Sequence, residues 1–229
     1  GASATTGAAD PYTHTFSVAP TGPKPVTLSK SMGDAIAVHS ALINQFVVRC
    51  ELDEMALAEL EVVGKLEKIA QSDYDADIFG TAAYPTEPAF SFRQGTAKIG
   101  GTQNCDVGSC VFTLNNNLFD KRTLCTAFPA AQGPGMLDIT YEMDMYFSTD
   151  AELKKYLGVL PGETRYEATT TTITSSVSLE FVATANRTMT ISSATCEVEA
   201  PTPAIEGPEY LRQRVIYRAR DLSIVVKNG

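Results

Sequence analysis

Along Leu137–Phe147, the residues Leu137, Ile139, Tyr141, Met143, Met145 and Phe147 alternate with Asp138, Thr140, Glu142, Asp144 and Tyr146. A period of two marks a β-strand with one face in a core and the other in water. The polar face of this strand carries three carboxylates and no cation, although like charges on a sheet face disfavour it. The same period recurs earlier in the chain. Val47, Arg49, Glu51 and Asp53 alternate with Phe46, Val48, Cys50 and Leu52, and after a break Leu60, Val62 and Leu66 oppose Glu59, Glu61, Lys65 and Glu67. Two alternating runs around a short break predict an antiparallel hairpin. An Ala/Leu/Glu-rich helix competes over Asp53–Ile69, but the period of two and the Val62-Val63-Gly64 stretch favour strands.

Residues 1–35 are rich in Gly, Ala, Ser, Thr and Pro and predict an extended arm with at most one short strand. Residues 70–89 form a loop punctuated by Gly80, Pro85 and Pro88. FSFRQGTAKIGG predicts a short strand, and SCVFTLNNNLF places Cys110, Phe112, Leu114 and Leu118 on one face, against Ser109, Thr113 and Asn115. The acidic strand is expected beside this one, with an outward face free of cations.

One helix is well marked in FSTDAELKKYLG. Thr149 can cap it, Glu152 follows at capping-box spacing, Lys154 and Lys155 close it, and Gly158 supplies the left-handed exit. Residues 165–199 have the Thr/Ser/Val/Ile composition of strands. PTPAIEGPE at 201–209 reads as a Pro-rich connection, and RQRVIYRARDLSIVV as one closing strand. No internal repeat of solenoid length is visible. The domain reading is therefore an arm at 1–35 and one β domain at 36–229.

With 229 residues the chain can bury a full core. A net charge of −9 disfavours a conventional nucleic-acid binder. No apolar run reaches the ~20 residues of a membrane-spanning helix. Because the chain starts at Gly1, a processed, trimmed or missing N-terminal piece is expected. The five cysteines, Cys50, Cys105, Cys110, Cys125 and Cys196, fit neither a disulfide framework nor a zinc site. Cys50 and Cys110 fall on apolar strand faces, as buried thiols do, and a reducing compartment fits best.

Candidate chemistry is sparse. His14 and His39 lie early, with no nucleophile elbow or glycine-rich phosphate loop nearby. Asp73-Tyr-Asp75-Ala-Asp77 resembles the start of a calcium loop, but Ile78 stands where glycine is required and Tyr84 where glutamate is. It reads as an exposed acidic loop. Asn186-Arg-Thr188 matches a glycosylation sequon by chance. Asp138 and Glu142 lie about 13 Å apart along a strand, too far for a retaining glycosidase pair. No catalytic residue, metal or cofactor is expected. The acidic rows of Glu51/Asp53, Glu59/Glu61 and Asp138/Glu142/Asp144 instead predict one shared acidic surface.

The ordered series PYTHTF, the hairpin at 43–68, FSFRQGTAKIGG, FTLNNNL, the acidic strand and STDAELKKYLG resembles the tail tube (major tail) proteins of long-tailed bacteriophages, over roughly residues 10–160. The resemblance implies a mainly β fold, a β-sandwich or barrel with one short flanking α-helix. It implies hexameric rings stacked into a tube, with two hairpins per subunit joining neighbours in a continuous barrel around the lumen. Carried over by position, segments 43–53, 57–68, 107–118 and 136–147 build the lumen sheet. Glu51, Asp53, Glu59, Glu61, Asp138, Glu142 and Asp144 would line the bore and keep DNA from sticking. The loop at 70–89, with Asp73, Asp75, Asp77, Phe79 and Tyr84, would contact the next ring. Implied partners are further copies of the chain, a tape measure protein in the lumen, tail terminator and baseplate or distal tail proteins, and DNA in transit without specific binding; no membrane is implied. Implied locations are the virion tail and, during assembly, the host cytoplasm. Alternatives are the tube of a contractile injection system or bacteriocin and, from another class, a monomeric β-sandwich binding module.

Overall fold

The computed structural model describes residues 2–7, 11–18, 24, 26–31, 35–64, 66–69, 89–121, 124, 131–160, 162–164, 168–169, 172–199, 201–206 and 210–228. The N-terminal half contributes strands β1 (Ala2–Thr6), β2 (Tyr12–Ser17), β3 (Val26–Ser31), β4 (Ala35–Cys50), β5 (Leu57–Val63), β6 (Leu66–Ile69), β7 (Gly95–Ile99), β8 (Thr102–Gln103) and β9 (Val107–Asn115). After β10 (Phe119–Lys121), β11 (Ala131–Gly133) and β12 (Asp138–Tyr146) comes helix α1 (Ala151–Leu157). The chain ends with β13 (Thr174–Thr184), β14 (Arg187–Val198), β15 (Thr202–Glu206), β16 (Tyr210–Ala219) and β17 (Ser223–Asn228).

The fold is mainly β with one short helix, arranged as a sandwich. One layer runs β5–β4–β9–β12–β16, and the other runs β1–β2–β17–β14–β13–β7–β8. All the pairings are antiparallel. Alternate residues of the first layer (Val48, Phe112, Tyr141, Met143, Val215, Tyr217) meet Val177, Leu179, Phe181 and Ile191 of the second in a single core. Phe112 and Tyr141 pack with ring centroids 5.1 Å apart.

Strand β14 joins the layers. Thr188–Ser192 pair with β17, whereas Cys196–Val198 pair with β16. Between these stretches the strand bends and its backbone needs other partners. The Asp221 carboxylate supplies them, accepting the N–H groups of Ala194 at 2.8 Å and Thr195 at 2.9 Å. The Ser193 hydroxyl donates to the Asp221 carbonyl at 2.6 Å and lies 2.8 Å from the Tyr141 hydroxyl, so the corner is tied into the core. Burial pushes the Tyr141 phenol above its ordinary pKa and keeps it neutral.

Several local expectations are met. The hairpin of β4 and β5 replaces the competing helix. The short strand expected in FSFRQGTAKIGG is β7, and the chain leaves it through Gly100-Gly101 at φ of +62° and +78°, conformations that glycine adopts without a Cβ penalty. Gly158 ends α1 at φ +71°.

Other expectations are corrected. The arm at 1–35 contains three strands, because β2 pairs with β17 and β1 with β2. Thr202–Glu206 of the Pro-rich stretch pairs with β16. RQRVIYRARDLSIVV is two strands, divided at the Asp221 corner. Helix α1 is capped at Asp150 rather than Thr149, and Glu152 is buried and bonded to Lys155 Nζ at 2.8 Å.

Replacing Asp221 with Ala should leave the Ala194 and Thr195 N–H groups without their acceptor, costing about 1–2 kcal/mol. Urea unfolding should show the loss as a lower midpoint at unchanged slope. Asp221→Asn, which keeps one acceptor, should lose less.

Candidate functional site

The segments expected to line a bore lie side by side. In sheet order β5, β4, β9 and β12 are consecutive, and β16 follows. Opposed residues on neighbouring strands share a face, so the register identifies the surface turned away from the core. Asp138, Asn115, Gln45 and Glu61 form one row across the sheet. Thr140, Thr113, Val47 and Glu59 form the next, and Glu142, Val111, Arg49 and Leu57 the one after. Glu59, Glu61, Asp138, Glu142 and Asp144 therefore occupy one face, as the alternation predicts.

Glu51 and Asp53 do not join it. Strand β4 ends at Cys50, and the chain turns through Glu51–Glu54, with Glu54 N–H bonded to the Glu51 carbonyl at 3.1 Å. Asp53 takes φ +60°, a conformation that Asp tolerates better than most residues, and its carboxylate lies 3.8 Å from Arg93. The alternation in the sequence outruns the strand because the chain must reverse to reach β5. The loop residues Asp73, Asp75, Asp77, Phe79 and Tyr84 lie outside the described residues.

The face is not free of cations. On the β9 side the neighbours of β12 are uncharged, as expected: Ser109, Val111, Thr113 and Asn115. On the other side stands β16, whose Arg212, Arg214 and Arg218 project onto the same face. Arg212 reaches Asp144 at 3.5 Å, Arg214 reaches Glu142 at 2.5 Å, and Arg218 reaches Asp138 at 3.3 Å. Each pair is offset by two residues from the direct register, which sets Thr140 opposite Arg218 and Asp144 opposite Arg214. Long arginine side chains bridge such diagonals. Arg218 also holds Glu199 at 2.7 Å, and these two carboxylates, Glu199 first, raise its pKa further. Arg212 lies 5.2 Å from the Tyr146 ring centre, closing the ladder at that end.

The β5 row is also partnered: Arg49 sits 3.5 Å from Glu59, and the Asn44 amide donates to Glu61 at 3.0 Å. About three strand spacings, or roughly 14 Å, separate it from the β12 row. At physiological salt that distance exceeds the Debye length of about 8 Å, so the two rows interact weakly. On this face Glu59, Glu61, Asp138, Glu142 and Asp144 are set against Arg49, Arg212, Arg214 and Arg218, leaving it nearly balanced and slightly acidic.

Sequence reasoning missed these arginines by reading 212–226 as one strand without assigning its partner. The signal was there: Arg212, Arg214, Arg218 and Arg220 fall on one parity of a run whose other parity holds Gln213, Val215, Tyr217 and Ala219. The latter set is buried.

Strand β5 is exposed on both faces over its first five residues, 57–61. Leu57 and Leu60 are 53% and 57% exposed, and Leu52 and Met55 in the adjoining turn are exposed as well. Among the described residues β5 pairs only with β4, along one edge. Among the described residues there is also no cluster of metal-ligating side chains, and no helix is long and apolar enough to cross a membrane.

A family model described as a phage tail tube protein matches residues 1–219. No curated protein matches the chain.

Because the Glu142–Arg214 pair is part-exposed, its worth should be small. A double-mutant cycle with Glu142→Gln and Arg214→Gln should give a coupling of about 0.2–1 kcal/mol. The coupling should shrink as salt is added, read from urea midpoints.

Proposed function

This chain belongs to the phage tail tube protein family, whose members are structural proteins of the virion tail that assemble into the tube, and on that premise we propose that six copies close into a ring around a lumen. Rings stack into the tail of a long-tailed phage, and the exposed face of β5–β4–β9–β12–β16 lines the bore. The observation that carries the reading is β5, which among the described residues pairs along one edge only and exposes Leu57 and Leu60. An uncovered apolar edge strand is a liability in a monomer, and pairing with a neighbouring copy removes it. Repeating that contact around a closed ring leaves no edge free.

DNA would pass because, among the described residues, each arginine on the lining face already holds a carboxylate. Phosphate contacts hold DNA by releasing counterions from both partners. Here Arg212, Arg214 and Arg218 already hold Asp144, Glu142 and Asp138 of the same chain, so a phosphate would have to displace a carboxylate. The coating acts by occupying its own cations and adding a small acidic excess, rather than by unbroken negative charge. The tape measure protein would occupy the same bore before ejection, and the terminator and distal tail proteins would cap the stack. Assembly would take place in the host cytoplasm.

Two outcomes test the reading. Wild-type protein should form stacked rings with a central hole in negative stain, whereas Leu57→Asp with Leu60→Asp should remain a folded monomer. Rings in the double variant would remove β5 from the contact. In a phage carrying Asp138→Lys with Glu142→Lys, both acidic partners become cations, Arg214 is released, and Arg218 keeps only Glu199. Tails should assemble while infectivity falls roughly tenfold or more through DNA retention. Unimpaired infectivity would take this face out of the bore.

A further inference from the structure

Cys50 closes β4, and Cys110 stands directly opposite it on β9 as the last pair of that ladder. Both are free thiols and both are buried. Directly opposed residues of antiparallel strands have Cα atoms about 4.5 or 5.5 Å apart. Both distances lie within the range of about 4.4–6.8 Å spanned by disulfides. The side chains also point at each other, since the two thiols share a hydrogen bond.

The pair is buried but not sealed. A cavity of about 160 Å³ opens between the two layers at this end of the sandwich, and Cys50 and Cys110 are among its lining residues. At about 30 Å³ for a water-sized molecule, it admits a reagent of a few heavy atoms. The exposed Cys105 lies on the same lining.

We propose that Cys50 and Cys110 form a peroxide-responsive dithiol, which closes into a cross-strand disulfide between β4 and β9 when a small peroxide enters the cavity. The hydrogen bond from Cys110 lowers the pKa of Cys50 and raises that of Cys110, which makes Cys50 the attacking sulfur. The Cys50 thiolate displaces hydroxide from hydrogen peroxide and becomes a sulfenic acid. The Cys110 sulfur then attacks the Cys50 sulfur, the S–O bond breaks, and the Cys110 proton leaves with the oxygen as water. In total two thiols and one peroxide give one disulfide and two waters. Peroxide is reduced and the two sulfurs are oxidised, with no other reagent required.

The consequence is a lock applied after folding. A chain made under reducing conditions folds with both thiols free and can later be cross-linked between two adjacent strands of the β5–β4–β9–β12–β16 layer. This inference stands on the strand register and the cavity alone, so it holds whether or not rings form.

The test uses full-length Cys105→Ser protein, in which the exposed thiol on the cavity wall is gone and four cysteines of the original five remain. Native protein is treated with hydrogen peroxide, alkylated in denaturant and digested with trypsin. The expected product is peptide Cys50–Lys65 joined to peptide Ile99–Lys121, two hydrogens lighter than the sum and separable by dithiothreitol. Titratable thiols should fall from four to two per chain, leaving Cys125 and Cys196. Adding Cys110→Ala should abolish the cross-link. Oxygen adducts without a link, unreacted thiols, or a link from Cys50 to Cys125 or Cys196 would overturn the proposal.

Discussion

The period-two geometry of β12 is the constraint from which the rest of the structure follows. Ile139, Tyr141, Met143 and Met145 are at most 4% exposed, packed between the two layers. Burying a side chain of this size stabilises the fold by about 1.5–3 kcal/mol, whereas a one-residue slip would turn all four outward and drive Asp138, Glu142 and Asp144 into the core. An unpaired carboxylate there costs far more than any surface ion pair returns. Register is thus set by the core, and the charged face is its obligatory complement. The diagonal ladder to β16 uses positions that the core has already fixed.

That hierarchy bears on what the charged face can do. Its ion pairs lie at the surface, and each contributes a fraction of a kcal/mol to stability. If this face lines the bore as proposed, their larger effect is on how the surface meets a polyanion. An arginine beside a carboxylate presents a dipole rather than a bare charge, and dipole fields fall off faster than those of single ions. With Glu199 completing the Arg218 cluster, Arg49, Arg212, Arg214 and Arg218 each have a carboxylate partner. Apolar exposure at Leu52, Met55, Leu57 and Leu60 gathers on β5 and the turn before it, the edge that the proposed ring contact would use.

Much of this was legible in the sequence because most of these strands alternate cleanly. The hairpin of β4 and β5, the β9 face, the whole of β12, and Gly158 at the end of α1 all follow from spacing alone. The misses share a cause: pairing over long sequence separation leaves no local mark. Nothing near Tyr141 indicates that Tyr217 lies opposite it, so the arginine row stayed invisible while the acidic row stood out. The Asp221 corner was missed for a similar reason, since Asp221 caps backbone 26 and 27 residues away. Conversely, Glu51 and Asp53 looked like strand because the polar–apolar alternation ran on past the turn at Cys50. In the N-terminal arm, small and polar residues hid strands that exist because β17 offers them an edge.

A cryo-electron-microscopy reconstruction of the assembled protein decides which face meets the channel. Glu59, Glu61, Asp138, Glu142 and Asp144, with Arg49, Arg212, Arg214 and Arg218 between them, should face it, and β5 should be paired to an adjacent copy. A reconstruction with this face on the outer surface, or buried between rings, and with the β17–β14–β13 layer toward the channel would contradict that placement.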